Sequence, residues 1–541
     1  MTFALARSAG AFALCCCTTS HAYAQQAEAA PAEAVADAGT DGRVVDIYNF
    51  RIEGNTVLPR MAVEKAVMPF LGPKRPIGDV EAARAALEKA YRGEGYETVS
   101  VELPEQEVKG GVFRFNVVET KIGRVRVTDA RYFSPEDIKK SLPALAEGSV
   151  PNYKAVSREI AAANKSGDRL IMPTLRAGDL PGEVDIDLAV EDHAPYHGSF
   201  EVNDRSSSRT ERLRASASVR YTNLFQLGHS LSLQGQMTPT KPDQSYVLSG
   251  SYVAPIGGEG FSLLGYVVRS NSDVAAIGGI GVLGTGTIVG LRGLYSFTSG
   301  EGASQLVHQF TAGIDYKNFE ENLILGADTA STPIDYYPIT AQYSLARRTD
   351  RDELDLSLGV NAGLRGLGAG DRGFGLKRFN ASANWVTLRS DLSYLYKYPG
   401  DWRAGIKLSA QIAGGPLISN EQFSAGGLDS VRGYYESQEL GDDGATMQFQ
   451  VDSPSFSDGV KWMNEMRVFG FVDAGILHVR DALQSQQSVT NLLSVGAGLR
   501  FRAFKYFNAS TLLAAPLRNE AGLPMDVGDR LRAQVRFWAE F

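Results

Sequence analysis

The chain has 541 residues, enough for more than one domain, and it carries 62 acidic against 54 basic side chains, a net charge of −8. This acidic balance argues against a general nucleic-acid-binding protein, which normally has a basic excess. The 57 glycines, 22 tyrosines and 25 phenylalanines favour a β-rich protein, because aromatic residues prefer strands and glycine serves tight turns.

The first 24 residues have the features of a secretory signal peptide. Arg7 precedes the apolar stretch AGAFALCCC, and Ala22-Tyr23-Ala24 is a cleavage signal that would leave Gln25 as the first mature residue. A transmembrane anchor would need about 20 apolar residues. A lipoprotein signal is the alternative, although Cys17 follows cysteines rather than small residues. All three cysteines lie in this segment, so the predicted mature chain has no disulfide or thiol chemistry.

Two similar stretches follow a leader at residues 25–44, whose alanine-rich acidic composition suits a disordered lead or a short helix. Residues 45–120 show the order β-α-α-β-β, with Asp79 as the predicted N-cap of the second helix. The same order recurs over residues 121–195, where Ser134 is the predicted cap of a helix that begins at Pro135. A repeat of about 75 residues predicts two small α+β domains, each with one sheet and one helical layer.

From about residue 196 to the end, apolar and polar residues alternate. In the last segment, LRAQVRFWAEF, every second residue from Leu531 to Phe541 is apolar. Strands of about 10 residues with one apolar and one polar face are typical of an antiparallel transmembrane β-barrel, and we count about sixteen of them. Two of the candidates are 376–392 and 394–414. A soluble sandwich or propeller is the alternative, but the chain ends on an aromatic residue inside its last strand.

A long loop, residues 415–444, interrupts this pattern and contains FSAGGLDSVRGYYESQELGDDG. Loops of this length are usually functional. Two strands later, alternation places Asp473 on the polar face, because a charge facing lipid would be costly. A buried carboxylate needs a cationic partner, and Arg432 on an inward-folded loop could supply a bidentate contact.

The motifs in these two segments resemble those of a known superfamily. Val431-Arg432-Gly433-Tyr434 resembles the VRGY/F loop motif of outer-membrane assembly factors and two-partner secretion transporters. Phe471-x-Asp473-x-Gly475 resembles the companion F-x-D-x-G motif of the barrel wall. The resemblance implies that the loop folds into the barrel, that Arg432 pairs with Asp473, and that Phe541 is a C-terminal strand signal. Whether this ion pair gates the barrel or only positions the loop stays open.

The two repeats resemble polypeptide-transport-associated (POTRA) domains. Two of them before a sixteen-stranded barrel is the arrangement of the two-partner secretion transporters (TpsB), the haemolysin secretion/activation proteins. The resemblance implies a signal peptide at 1–24, a leader at 25–44, POTRA domains at 45–120 and 121–195, and a barrel at 196–541. The family's plug helix would fall in the leader, but no long amphipathic helix is evident there.

The resemblance implies secretion of an unfolded exoprotein rather than catalysis. The barrel would lie in the outer membrane of a Gram-negative cell with the POTRA domains in the periplasm. Expected partners are a TpsA-like client, outer-membrane lipids and periplasmic chaperones, but not nucleic acid. We expect no catalytic residue, cofactor or metal, since the sequence lacks a phosphate loop, HExxH and a nucleophile elbow. The alternatives are an outer-membrane insertase and a passive porin, which would leave both repeats unexplained.

Overall fold

The computed structural model describes residues 44–164, 167–208, 210–257, 260–271, 275–277, 280–282, 284–300, 305–320, 322–325, 328–457, 460–484, 486–518 and 531–541. The predicted signal peptide and, apart from Val44, the predicted leader lie outside the described residues. The described chain divides into two compact units, and the boundary falls between Pro195 and Tyr196. None of the described helices is long and apolar enough to span a membrane.

The first repeat is a small sheet covered by two helices. Its central strand pairs in parallel with one neighbour and antiparallel with the other. The prediction that Asp79 caps the second helix is wrong, because this helix begins one residue earlier and Asp79 lies in its first turn, paired with Arg75 at 3.1 Å. The strands are Val44–Ile47, Asn49–Glu53, Gly72–Pro76, Val99–Glu102 and Val112–Glu119, and the helices are Arg60–Val67 and Gly78–Glu94.

The second helix of this repeat supplies much of the core. Its buried residues, Val80, Ala83, Leu87 and Tyr91, recur at helical spacing and pack on the sheet. The Tyr91 hydroxyl donates a hydrogen bond to Asn55 Oδ1. Burial, reinforced by the nearby carboxylate of Glu119, raises the pKa of Tyr91, so the hydroxyl stays protonated and keeps donating.

We expect Leu87→Ala to destabilise this repeat by about 2–5 kcal/mol, the usual cost of removing a buried leucine side chain. Leu87 is 0 % exposed, so the substitution leaves a cavity between helix and sheet. The measurement is urea unfolding of residues 44–195 followed by circular dichroism. Lys89→Ala, on the exposed face of the same helix, is the matched control and should change the free energy of unfolding by less than about 0.5 kcal/mol.

The second repeat has the same sheet arrangement as the first. Its central strand again has a parallel neighbour on one side and an antiparallel neighbour on the other. Ser134 accepts a hydrogen bond from the Asp137 backbone N–H at 3.4 Å, with Pro135 first in the helix, so the predicted cap is confirmed. The strands are Lys121–Thr128, Arg169–Ala177 and Glu183–Asp192, and the helices are Pro135–Lys140 and Tyr153–Ala163.

The second unit is a closed antiparallel barrel of sixteen strands, as the alternation predicted. The first strand, Tyr196–Asn203, pairs with the last, Arg532–Glu540, and so closes the cylinder. Closure pairs the two edge strands with each other. Within a membrane every backbone N–H and C=O group needs such a partner, because lipid offers no hydrogen bonds. The strands between them are Arg214–Leu224, His229–Met237, Tyr246–Ile256, Phe261–Ser270, Thr285–Ser299, Leu306–Glu320, Ile334–Tyr336 continued by Ile339–Arg348, Asp352–Gly363, Trp385–Lys397, Arg403–Ala413, Asp443–Asp452, Met463–His478, Val489–Ala503 and Phe507–Pro516.

Two predicted strand ranges, 376–392 and 394–414, are wrong. The chain forms a short helix, Asp371–Lys377, before the strand Trp385–Lys397, and the next strand begins only at Arg403. The turn between these strands contains Pro399-Gly400, and Gly400 has a φ of +79°. Proline followed by glycine is a strong turn signal, and it outweighs the alternation that suggested a break near residue 393.

Side chains along the barrel strands alternate between an exposed and a buried face. On strand Met463–His478, Val468 and Val472 are exposed on the outside, whereas Phe469, Phe471 and Asp473 are buried. Asp473 therefore lies on the inward face, opposite the apolar outer face, as the alternation predicted. Apolar residues face outwards, where lipid would surround them, and polar residues can face the interior.

Candidate functional site: the loop inside the barrel

One long loop folds back between the barrel walls. We call residues 414–442 the inner loop; they connect strands Arg403–Ala413 and Asp443–Asp452. Short strands Phe423–Ala425 and Glu439–Gly441 pair with each other and hold the two arms of the loop together. Val431 and Tyr434 pack with Leu477 and Leu492 of the wall. Residues 428–437 form the tip of the inner loop. The tip is thus packed against the barrel rather than projecting into solvent.

The loop motif and the wall motif meet through Arg432 and Asp473. Arg432 Nε donates to Asp473 Oδ2 and Nη2 donates to Oδ1, both at 2.7 Å, and the Arg432 backbone N–H adds a bond of 3.0 Å to Oδ2. The guanidinium also lies over the Phe471 ring, 3.6 Å from its centroid. Asp473 is 0 % exposed, so this is a bidentate, desolvated ion pair.

The glycines of the two motifs let the loop backbone approach the wall. Gly433 has a φ of +92°, and a Cβ there would lie 3.1 Å from Ala514 Cβ. A Cβ at Gly475 would lie 3.1 Å from Val431 Cγ2. Both separations are tighter than ordinary van der Waals contact, so larger residues would push the loop away from the wall.

Tyr434, the last residue of the loop motif, anchors the tip to two neighbouring segments. Its hydroxyl has one proton to donate and two carbonyl oxygens within reach, that of Arg518 at 2.7 Å and that of Leu493 at 3.1 Å. It also accepts from the Leu493 backbone N–H at 3.3 Å. The tyrosine therefore adds polar contacts to its packing, which phenylalanine at this position could not supply.

Phe541 lies at the barrel closure. Its backbone N–H donates to Gly198 O at 3.0 Å and its carbonyl oxygen accepts from Gly198 N–H at 2.9 Å. The ring covers the glycine, where an added Cβ would lie 2.3 Å from the Phe541 side chain. Its role as a strand signal stays a prediction.

Sequence reasoning missed the glutamines beside the ion pair. Gln450 Oε1 accepts from Arg432 Nη1 at 2.6 Å, and Gln450 Nε2 donates to Asp452 Oδ1 at 3.0 Å. Gln448 Nε2 donates to the Leu428 carbonyl oxygen at 3.1 Å. The alternation in MQFQVD could have predicted them. It places Gln448, Gln450 and Asp452 on the inward face of the strand beside Asp473.

Charged pairs that the sequence did not reveal hold the base of the inner loop. Arg378, beyond the helix Asp371–Lys377, donates to both carboxylate oxygens of Asp442 at 2.5 and 2.7 Å. Glu421 accepts from Lys317 Nζ at 2.6 Å and from the Tyr336 hydroxyl at 2.5 Å. Because these partners come from distant strands and loops, no local pattern could pair them.

The described residues contain no group of three or more His, Cys, Asp or Glu side chains placed to hold a metal ion. What the site offers is a loop tethered inside a barrel by reversible polar contacts. With the two α+β repeats ahead of it, this arrangement is that of an outer-membrane β-barrel protein.

The chain belongs to the family described as haemolysin secretion/activation protein ShlB/FhaC/HecB, whose family model matches residues 182–501. A model for the ShlB-type POTRA domain matches residues 45–120. The predicted family, the predicted fold class and the outer-membrane location are thereby confirmed. Proteins of this family are transporters rather than enzymes, and they work with a secreted exoprotein.

Relatives support this placement. The heme/hemopexin transporter protein HuxB of Haemophilus influenzae (strain 86-028NP) is 20 % identical over 482 residues, covering 83 % of this chain and 79 % of that protein. The outer membrane transporter CdiB of Escherichia coli is 22 % identical over 198 residues. This match covers 37 % of the chain and spans only 33 % of the length of CdiB.

Two solved structures share the fold. CdiB from Escherichia coli superposes with a TM-score of 0.66 at 19 % identity, covering 93 % of this chain and 92 % of the other. BamA from Haemophilus ducreyi lacking POTRA domains 1–3 superposes with a TM-score of 0.53 at 14 % identity, covering 92 % of this chain and 100 % of the other. Both likenesses concern the fold alone.

Proposed function

We propose that this protein is a two-partner secretion transporter that binds an unfolded exoprotein in the periplasm and passes it through its barrel. The observation that carries the proposal is the inner loop, which lies against the inner wall and is held there by the Arg432–Asp473 pair. Such a loop blocks part of the path but can be released without breaking a covalent bond. Membership of the family agrees with this function.

The domain division that goes with this function has a signal peptide at 1–24, a leader at 25–44, POTRA domains at 45–120 and 121–195, and the barrel at 196–541. The common sheet arrangement of the two repeats supports the second POTRA domain. Periplasmic chaperones would deliver the client to these domains in an unfolded state.

The second repeat offers an edge for an extended client. Strand Arg169–Ala177 pairs on one side with Glu183–Asp192 and ends the sheet on the other. Its side chains include the exposed Leu170, Met172 and Leu175. An unfolded segment could add as a further strand here, with main-chain hydrogen bonds for affinity and these apolar side chains for selectivity.

The free energy for export would come from folding of the client outside the cell. The sequence contains no phosphate-binding GxxxxGK motif, so we do not expect nucleotide hydrolysis to drive the step. A client that folds as it emerges cannot slide back, and each folded segment favours passage of the next.

An outer-membrane insertase is the second candidate, because the loop motif Val431-Arg432-Gly433-Tyr434 resembles that of outer-membrane assembly factors as well as that of secretion transporters. The two functions differ in the client. A secretion transporter places one large exoprotein outside the cell, whereas loss of an insertase depletes many barrel proteins from the membrane.

We expect deletion of residues 45–195 to lower client secretion at least tenfold, because a transporter would lose its binding domains and more than about 1.4 kcal/mol of client affinity. The measurement is the amount of client in the medium of cells that express the gene and its neighbouring exoprotein gene. Heat-modifiable migration in electrophoresis controls for a folded barrel. Undiminished secretion by the folded variant would reject the proposal, and unaltered secretion with missing membrane barrels would favour the insertase.

A further inference from the structure

The tip of the inner loop has an anchor outside the two motifs. Arg205 lies just beyond the first barrel strand, Tyr196–Asn203. Its Nη2 donates to Asp429 Oδ2 at 2.5 Å, and its Nε and Nη2 donate to the two carboxylate oxygens of Glu436 at 3.0 and 3.3 Å. The side chains of Arg205, Asp429 and Glu436 are only 16 %, 13 % and 17 % exposed, so water screens these contacts little.

Glu436 organises the tip as well as binding Arg205. Its carboxylate accepts from the Leu428 backbone N–H at 3.0 Å, and its own backbone N–H donates to Ser206 O at 3.1 Å. Gly427 makes room for this carboxylate, since a Cβ there would lie 2.4 Å from it. The segment thus places Glu436 where the guanidinium of Arg205 can reach it.

The anchor lies at the seam where the barrel closes. The first and last strands share five residue pairs, from Asn203↔Arg536 to Ser199↔Glu540. Every other pair of neighbouring barrel strands shares at least eight. On the other side of the seam, Arg532 of the last strand lies over the Tyr435 ring at 3.5 Å. The tip therefore contacts both sides of the shortest strand pairing.

Because both carboxylates accept hydrogen bonds from the same guanidinium, this anchor is sensitive to substitution of Arg205. If the charge of Arg205 is removed, Asp429 and Glu436 are left close together, largely shielded from water and without this partner. Two carboxylates that are shielded from water repel each other strongly, and the free energy of each would fall if it moved towards water. The tip would then leave the seam, even with Arg432 and Asp473 unchanged.

We propose that Arg205 is a positioning residue that holds the tip of the inner loop across the barrel seam, as a second tether beside the Arg432–Asp473 pair. Its role in transport rests on the proposed function, but the tether itself does not. Passage of a client would require both tethers to open, since each of them helps to hold the tip against the wall.

The test measures accessibility of the tip in the full-length protein. The three cysteines at 15–17 are replaced by alanine, and Ser437→Cys becomes the single thiol. Maleimide labelling rates of the folded protein in outer-membrane vesicles are compared for Arg205→Gln, Arg205→Lys and the parent. We expect Arg205→Gln to raise the rate about tenfold or more, as for loss of one hydrogen bond to a charged group, and Arg205→Lys to raise it less.

The matched control is Arg212→Gln. Arg212 lies on the same connection between strands but is 67 % exposed and 3.9 Å from Asp204, so its loss should leave the rate unchanged. Should Arg205→Gln not fold, the double variant Asp429→Ala with Glu436→Ala removes both acceptors of Arg205 and carries the same expectation. A parental labelling rate in a folded variant would overturn the inference. Faster labelling supports it even if the parent secretes no client, a result that would reject only the proposed function.

Discussion

Arg432→Ala is expected to abolish most client secretion while the barrel still folds into the outer membrane. The substitution removes both bonds of the guanidinium to Asp473 and leaves that carboxylate buried without its cation. Breaking one side of a buried ion pair costs about 3–5 kcal/mol, enough to displace the loop from the wall. A loop that has lost its place on the wall would lie in the path of the client. The measurement is client in the medium, set against the amount of heat-modifiable barrel in the membrane.

Two further variants make this result specific. Asp473→Ala should lower secretion equally, and the double variant should be no worse than either single one, because the two residues act as a pair. Arg269→Ala is the control, since Arg269 lies on an exposed face of another barrel strand and donates to Thr287. Normal export by folded Arg432→Ala would show that the pair is dispensable for transport.

Gly433→Val should have a similar effect without any change in charge. The φ of +92° is strained for valine, at a cost of about 1–3 kcal/mol. The new Cβ would in addition meet Ala514 Cβ at 3.1 Å. We expect the loop to be displaced and secretion to fall by about tenfold or more, which corresponds to a loss of about 1.4 kcal/mol. The same secretion assay measures it.

Gly415→Val is the matched control for this variant. Gly415 belongs to the same loop, but a Cβ there would have open space around it and its backbone is not in the left-handed region. Near-parental secretion is expected. If both glycine variants secrete normally, close approach of the loop backbone to the wall has no part in transport.

Much of the barrel could be predicted from the sequence, because the pattern that defines a barrel strand involves only neighbouring residues. Alternation with a period of two assigns each residue of a strand to one face, so Val472 and Asp473 could be placed on opposite sides before any partner was known. The predicted ends of strands were less reliable where a turn or helix signal competed with the alternation. The helix Asp371–Lys377 overlaps the start of the predicted strand 376–392, and the turn at Pro399-Gly400 falls inside the predicted strand 394–414.

The candidate site was predicted only in part. The motif resemblance predicted that Arg432 pairs with Asp473, 41 positions further along the chain, and the structure places the two side chains in contact. The resemblance did not predict the contacts of Arg205 with Asp429 and Glu436, which lie 224 and 231 positions away. No short motif connects residues so far apart, and only closure of the barrel places the first strand beside the loop tip.

The amino-acid sequence by itself determined the repeats, the strand faces, the length of the inner loop and the glycines that its tight approach requires. These depend on hydrophobic periodicity and backbone preference, which act over a few neighbouring residues. Only the tertiary structure decided which carboxylates the arginines outside the loop motif meet, such as Arg205 and Arg378. That choice follows from the path of the chain around the barrel, because an ion pair needs its two groups within a few ångströms and not within a few residues.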